Sequence, residues 1–209
     1  MEPLPSAYFD RPTVSVARDL LGAHLVREHP SGGRLVGRVV ETEAYTEDDP
    51  ACHASHLSRD PETGEVMGQG RGRDLFAAPG TAYVYLIYGI HWLLNVVTEP
   101  EGTAGAVLIR AIEPTAGVDF MRSRRGVERT VDLTNGPGKL TDALDVGEDF
   151  HRSALTGSPL YLAHGPAVDD DEVTQSARIG IFKAVERPWR WFVATNRFVS
   201  NGTPSDQQS

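Results

Sequence analysis

Residues 81–112 form the stretch TAYVYLIYGIHWLLNVVTEPEGTAGAVLIRAI, which contains three runs of β-branched, aromatic and aliphatic residues. These runs, at 81–88, 92–98 and 106–112, predict three successive strands, the first two joined by a tight turn at Gly89. Because the strands come in clusters and do not alternate with helices, the pattern favours an α+β fold. We therefore expect a mostly antiparallel, curved β-sheet flanked by helices, with a protruding β-hairpin.

The rest of the chain predicts further elements around these strands. Residues 12–22 are typical of a short helix, with Thr13 or Ser15 as the N-cap and Gly22 as the stop. Residues 25–28 and 35–45 flank Pro30-Ser31-Gly32-Gly33 and predict another hairpin. The remaining predictions are helices over 114–125 and 138–144 and strands over 160–163, 177–181 and 189–194. The polar segment 46–79 has no clear periodicity, and a loop of that length is usually functional.

Length and composition describe a single domain. The chain has 209 residues, 40% of them hydrophobic and 23% charged, which suits one core and is short for two. We expect one domain over residues 1–200 and a flexible tail over 201–209. No apolar run approaches the roughly 18 residues that a membrane span needs, and the N-terminus does not look like a secretory signal. A single cysteine fits a reducing compartment such as the cytoplasm.

The formal net charge of −9 argues against a protein that coats nucleic acid non-specifically. A local basic face remains possible, since binding depends on the field at the site and not on the total charge.

The segment Glu41-Thr42-Glu43-Ala44-Tyr45 ends an apolar strand and is a candidate acid/base site. Strand alternation places Glu41, Glu43 and Tyr45 on one face. Two carboxylates and a phenol on one face suit general acid/base catalysis. The alternative is a solvated outer face that carries an acidic pair by chance.

His53 and His56 follow in the polar segment, beside Cys52. The His-x-x-His spacing could contribute to a zinc site, but no third ligand stands out. Cys52 is expected to be a small buried hydrophobe and not a nucleophile.

Two further strands each carry one polar side chain in an apolar run. Asn95 and Arg110 must each find a partner or line a cavity, and a buried arginine needs an anion such as Glu43 or a phosphate. Tyr88 lies at the predicted hairpin tip, where a projecting aromatic ring can wedge between stacked bases. Taken together, these residues predict an aromatic pocket with a charged floor.

With these motifs in this order, the chain closely resembles the alkyladenine (3-methyladenine) DNA glycosylase family. The resemblance is to the mammalian-type enzymes, which also occur in bacteria, and it points to a bacterial member. The resemblance covers about residues 16–192. It rests on Glu41-Thr42-Glu43-Ala44-Tyr45, His53, residues 79–89, Asn95, residues 108–114, Gly136-Pro137-Gly138-Lys139-Leu140 and residues 177–181.

The resemblance implies a role for each matched residue. Glu43 corresponds to the general base that activates water, and Arg110 to the arginine that positions that water and the target phosphate. Tyr45, His53 and Tyr85 correspond to the residues that enclose the flipped base. Asn95 corresponds to the residue that excludes the 2-amino group of guanine, and Tyr88 to the intercalating wedge.

The resemblance also implies the partner and the class of enzyme. The expected partner is duplex DNA that contains alkylated or deaminated purines, bound by a monomer at the bacterial nucleoid, without a cofactor or metal. No matched position supplies an amine for Schiff-base chemistry, so a monofunctional glycosylase is implied. A non-catalytic lesion-binding protein and a hydrolase of free nucleosides remain the alternatives.

Segment 53–76 is longer than expected for the family, and it contains Arg71-Gly72-Arg73. The candidate residues for binding the DNA backbone are Arg71, Arg73, Arg122, Arg124, Arg125, Arg129 and Lys139. The alternative for the arginines of residues 114–129 is a solvated helix exterior.

Overall fold

The fold is built around one long strand, β2. The computed structural model describes residues 1–31 and 33–207. Its main sheet has nine strands in the order β5-β6-β7-β2-β1-β9-β8, with β11 and then β10 added beside β2. These strands are β1 (His24–Glu28), β2 (Arg34–Thr46), β5 (Ala82–Ile87), β6 (His91–Val97), β7 (Gly105–Ala116), β8 (Thr156–Gly157), β9 (Leu160–Ala163), β10 (Val173–Ser176) and β11 (Arg190–Val193). Each of their pairings is antiparallel.

The described residues also contain four α-helices and a small second sheet. The helices are α1 (Ser6–Phe9), α2 (Thr13–Asp19), α3 (Val118–Arg125) and α4 (Pro137–Ala143). Helix α2 packs on β2 and β7, and α4 packs on β6 and β7. The predicted α+β class with a mostly antiparallel sheet is confirmed. None of these helices is long and apolar enough to cross a membrane.

The polar segment 46–79 carries more structure than the sequence predicts. It contains the two-stranded sheet of β3 (Ser58–Arg59) and β4 (Val66–Met67), followed by a 3-10 helix at Arg71–Phe76. Cys52 is buried among apolar side chains, as predicted.

Irregular pairing between β2 and β7 determines which side chains of β2 face the core. The register shifts between Val39 and Glu41, which indicates a β-bulge. Before it, Leu35 and Val39 belong to the main core, and after it Val40 and Ala44 do. Before the bulge the odd-numbered side chains Leu35 and Val39 face the core, and after it even-numbered side chains do. Glu41 and Glu43, which follow the bulge, therefore lie on the opposite face of β2.

The predicted boundaries of two elements are wrong. Residues 114–116 are not helical because they continue β7 and pair with β2, so α3 begins only at Val118, after Gly117 at a φ of 74°. Residues 177–181 are not a strand, since β10 ends at Ser176 and their backbone groups bond to other parts of the chain.

The predicted side-chain cap of α2 is also wrong. Pro12 occupies the N-cap position, and neither Thr13 nor Ser15 caps the helix. The Glu99 carboxylate does so from a distant turn, accepting the Thr13 N–H at 2.6 Å and the Thr13 hydroxyl at 2.7 Å. Of the predicted tail, Ser205 is buried and its N–H donates to the Arg178 carbonyl, while residues 208 and 209 lie outside the described residues.

A buried ion pair holds the C-terminal segment against the end of β2. Arg178 and Asp49 are both fully buried, and the guanidinium donates to both carboxylate oxygens and to the Ala44 carbonyl at 2.9 Å. The same guanidinium lies 4.6 Å from the centre of the Tyr45 ring. Because segment 177–184 contacts the candidate site, this pair positions the site as well as stabilising the fold.

We predict that Arg178→Met lowers the free energy of unfolding by about 3–5 kcal/mol, because it leaves the Asp49 charge buried without a partner. The matched control is Arg187→Met, which removes the pair with the exposed Asp48 and should cost less than about 1 kcal/mol. Urea unfolding followed by circular dichroism measures both. Equal losses for the two variants would contradict the importance of the buried pair.

Candidate active site

A cavity of about 1020 Å³ opens beside the sheet. Its lining includes the predicted residues Tyr45, His53, Tyr85, Asn95 and Arg110, and Tyr88 also lines it. Strands β2, β5, β6 and β7 supply all of them except His53, which the segment after β2 supplies. The structure thus brings the predicted base-pocket residues together. The volume is at the upper end of the range of about 300–1,000 Å³ typical of small-molecule sites.

Glu43 lies directly behind the wall of this cavity, with no surface exposed to solvent. Its Oε1 accepts the Ile179 N–H at 2.7 Å and lies 3.2 Å from Nη1 of Arg110. Its Oε2 accepts the Tyr45 hydroxyl at 2.8 Å. A carboxylate oxygen can accept two hydrogen bonds, and among the described residues Oε2 accepts only the one from Tyr45.

Glu41 forms a second buried carboxylate beside the first. It accepts Nε of Arg110 at 3.0 Å, Nε of Arg190 at 2.6 Å and the Ser200 N–H at 2.7 Å. Burial alone would raise its pKa, but the two guanidinium groups hold the pKa of Glu41 below its ordinary value. Two carboxylates and two guanidinium groups therefore balance one another, and a solvated outer face is excluded for Glu41 and Glu43.

The phenols at the site remain protonated. Burial, followed by the charge of Glu43, raises the pKa of Tyr45 well above its ordinary value and that of Tyr85 to about 12. The Tyr45 hydroxyl therefore keeps its proton and donates it in the hydrogen bond to Glu43. The Arg110 pKa is raised too, because Glu43 and Glu41 outweigh the effect of its burial, so this side chain remains a cation.

His53 presents a neutral imidazole to the cavity. Burial, with smaller effects of Arg71 and His56, lowers its pKa from 6.5 to about 4. Its Nδ1 is 2.7 Å from the Tyr83 hydroxyl, and its ring meets the Tyr85 ring edge-on at 4.7 Å between centres. His56 instead lies with Nε2 3.1 Å from the Gln69 carbonyl. Among residues 1–31 and 33–207, no group of three His, Cys, Asp or Glu side chains could hold a metal ion.

Asn95 and Tyr88 differ in their exposure to solvent, since Asn95 is buried and Tyr88 is exposed. Asn95 is 4% exposed and donates Nδ2 to the Tyr83 carbonyl at 3.0 Å, which fixes its amide at the cavity wall. Tyr88 is 81% exposed at the turn between β5 and β6 and has a φ of 53°. A non-glycine residue rarely adopts this conformation, and here it holds an aromatic ring clear of the fold.

The candidate DNA-backbone residues divide into two groups. Arg71, Arg125 and Lys139 line the cavity, whereas Arg73, Arg122, Arg124 and Arg129 do not. In the second group, Arg73 donates to the carbonyls of Val66 and Gly68, and the other three pair with nearby aspartates. Arg125 lines the cavity but also pairs with Asp142 at 3.0 Å.

The cavity is basic although the chain as a whole is acidic. Among the described residues that line the cavity are Arg71, Arg110, Arg125 and both lysines of the chain, Lys139 and Lys183. None of these lining residues is an aspartate or a glutamate. The chain has 29 acidic residues, so this exclusion is a local feature of the surface. Such a field favours a polyanion at the mouth of the cavity.

Several groups that complete the site escape sequence analysis. They are the Ile179 N–H, Arg190, Ser200 and the pair of Arg178 with Asp49. The Ile179 contact is a backbone hydrogen bond across 136 positions of sequence, and no side-chain pattern encodes it. Arg190 lies in the apolar run that begins at Trp189. A single arginine in an apolar run is the same pattern that identified Arg110 as a candidate, so this pattern could have found Arg190.

Comparisons with known proteins identify the family of this chain. A family model described as Methylpurine-DNA glycosylase (MPG) matches residues 7–197. The chain belongs to this family. It is 73% identical over 205 residues to a protein of Salinibacter ruber (strain DSM 13855 / M31) named "Putative 3-methyladenine DNA glycosylase", covering 98% of this chain and 100% of the relative.

More distant relatives carry the same name. One from Chlorobium luteolum is 44% identical, with 98% of this chain and 100% of the relative covered. One from Methanoculleus marisnigri (strain ATCC 35101 / DSM 1498 / JR1) is 42% identical, with 94% of this chain and 98% of the relative covered. The resemblance and the enzyme class inferred from the sequence, a DNA glycosylase, are thereby confirmed.

The low pKa of His53 predicts a specific pH dependence of stability. Between pH 6.5 and about 4 the unfolded chain binds a proton at His53 that the folded protein does not, so stability falls as the pH falls through this range. We expect the urea midpoint to drop less between pH 7 and pH 4.5 in His53→Gln than in the unsubstituted protein. The exposed His164→Gln is the control, and identical drops in all three proteins would contradict a neutral His53.

Proposed function

We propose that this protein flips alkylated or deaminated purines out of duplex DNA and hydrolyses the N-glycosidic bond with a water that Glu43 activates, leaving an abasic site. The observation that carries the proposal is the position of Glu43, a fully buried carboxylate one layer behind an aromatic cavity. The relatives' names and the family support the type of bond that is cleaved.

Extrusion of the nucleotide follows from the depth of Glu43. The anomeric carbon of a stacked nucleotide is inaccessible inside the duplex, so the nucleotide must leave the stack to reach Glu43. Tyr88, exposed at the edge of the cavity, fills the vacancy by stacking. A nucleoside hydrolase has no need of this residue, which favours a duplex substrate.

The cavity suits an electron-poor purine. Tyr45 and Tyr85 offer aromatic faces that attract a cationic alkylated base. His53 adds a third ring without adding positive charge, since its low pKa keeps it neutral at physiological pH. Asn95, held by the Tyr83 carbonyl, is placed to reject the 2-amino group of an undamaged guanine.

The bonds and protons balance as a simple hydrolysis. For an alkylated purine, the bond between C1′ and the purine nitrogen breaks, and its electron pair neutralises the cationic base. A deaminated purine is neutral, so its leaving nitrogen also takes up one proton from solvent, which balances the proton that the attacking water releases. A water oxygen then bonds to C1′, and its proton passes to Glu43. The negative charge of Glu43 also stabilises the oxocarbenium character of the sugar in the transition state.

Access of the water requires Tyr45 to shift. Glu43 has no exposed surface, and its one remaining acceptor position is on Oε2, the atom that Tyr45 covers. Arg110 and the Ile179 N–H hold Oε1 in place meanwhile, so the base keeps its position while the water binds.

We predict that Glu43→Gln lowers single-turnover excision by about 10²–10⁴-fold and leaves binding to lesion-containing duplexes intact. The variant should fold, because Arg110 keeps Glu41 as its partner and a glutamine oxygen still accepts the Ile179 N–H. The assay uses end-labelled duplexes with hypoxanthine, ethenoadenine or an alkylated purine, with alkali-revealed strand breaks as the readout.

Glu47→Gln is the matched control, since this carboxylate lies on the same segment but pairs with Arg59 near the surface. Near-normal turnover by Glu43→Gln would contradict the mechanism. Tight lesion binding by the unsubstituted protein without strand breaks would instead indicate a lesion-binding protein without catalysis.

The wedge predicts a dependence on base pairing. Tyr88→Ser should slow excision of a lesion opposite its normal pairing partner more than excision of the same lesion in a mismatch, because the mismatched base is already less stably stacked. Met67→Ser, at an exposed apolar residue that does not line the cavity, is the control. Equal losses on matched and mismatched lesions would argue against the wedge.

A further inference from the structure

A second exposed aromatic side chain lies on the edge of the same cavity. Phe182 is 90% exposed, more than Tyr88, and it lines the cavity from the segment after β10. Six large hydrophobic side chains are exposed in the described chain, and Leu86, Tyr88 and Phe182 all line this one cavity. Scattered exposed hydrophobic residues are ordinary, but their concentration around a basic cavity indicates a binding surface.

The backbone holds Phe182 in place on both sides of a turn. The Ile179 N–H is bound to Glu43, and the Ile181 N–H donates to the Ser205 hydroxyl at 3.1 Å. Gly180 makes the turn between them with a φ of 76°. Phe182 is therefore presented at a set position relative to Glu43, although almost none of its own ring is packed against the protein.

Lys183, the next residue, supplies a cation beside the ring. It is exposed, lines the cavity and makes no hydrogen bond or ion pair with the described residues. An aromatic ring that faces solvent next to an unpaired ammonium group suits a nucleobase with its adjoining phosphate, the combination found in single-strand binding surfaces.

We propose that Phe182 stacks on the base left unpaired in the complementary strand when the damaged nucleotide flips out, and that Lys183 binds a neighbouring phosphate. Once its partner has left, the opposite base keeps only its stacking contacts within its own strand, so an aromatic ring at the cavity can insert beside it and replace one of those contacts. Tyr88 and Phe182 come from different segments at one cavity edge and serve the two strands separately. This inference rests on the proposed function and adds to it a contact with the undamaged strand.

The test is a cycle that changes the protein and the DNA independently. One duplex carries the lesion opposite a normal base, and a second carries it opposite an abasic-site analogue, with Glu43→Gln as the background that prevents excision. Adding Phe182→Ala should weaken binding to the first duplex by about 5- to 150-fold, the usual range for loss of one stacked base. It should leave binding to the second duplex unchanged, because the stacking partner is missing.

Three further variants sharpen the test. Phe182→Trp should restore affinity, and its exposed indole should lose fluorescence on binding the first duplex but not the second. Lys183→Met should lower the slope of log affinity against log salt concentration by about 0.9, as for the loss of one phosphate contact. Met67→Ala is the control for removal of an exposed apolar side chain away from the cavity.

Two results would overturn the inference while leaving the proposed function intact. One is unchanged binding of Phe182→Ala to the first duplex, and the other is an equal loss on both duplexes. A dimer of the protein that Phe182→Ala dissociates, with DNA binding unaltered, would also overturn it. By contrast, failure of the unsubstituted protein to bind or excise any lesion would contradict the proposed function itself.

Discussion

The arrangement of the site depends on the buried contact of Arg110 with two carboxylates. Arg110 lies 3.0 Å from Glu41 and 3.2 Å from Glu43, and Arg190 supplies the second positive charge. An unpaired charge at this depth would cost several kcal/mol, so each of the two arginines is stable there only beside a carboxylate. The set also explains how two carboxylates can lie side by side without contact with solvent, since their countercharges belong to the fold and do not depend on a ligand.

The same constraint links the two ends of the chain. Glu43 belongs to β2, whereas the Ile179 N–H and Arg190 that complete its surroundings come from the last quarter of the sequence. The register Arg190 to Glu43 across β2 and β11 and the buried pair of Arg178 with Asp49 hold that region in place. The geometry of the candidate site therefore depends on how the C-terminal region packs, and a change in that packing should disturb the site.

Sequence patterns predicted most of the sheet, and they selected polar and aromatic side chains that the structure brings to one cavity, because strand runs and isolated polar residues in apolar strands are local signals. They could not predict the bulge near Val39 that turns Glu41 and Glu43 away from the core, since Val39 and Val40 are both apolar and either register is plausible. They also failed for residues 177–181, where an apolar, strand-like composition gives way to backbone hydrogen bonds with distant partners. Ion pairing was equally hidden, so arginines that lie together in sequence proved to be divided between the cavity and internal contacts with aspartate.

This division resolves the apparent conflict between an acidic chain and a nucleic-acid substrate. Arginines paired with aspartate contribute little to the field at a distance, whereas Arg71, Lys139 and Lys183 are not paired with any described carboxylate and line the cavity. At physiological ionic strength the Debye length is about 8 Å, so acidic residues on remote faces are screened from a duplex at the mouth. A net charge of −9 then limits non-specific adhesion along DNA without weakening contact with DNA at the cavity. A DNA glycosylase must dissociate quickly from undamaged DNA. A small basic area around the cavity, on a protein with a negative net charge, therefore favours discrimination between the lesion and the rest of the duplex.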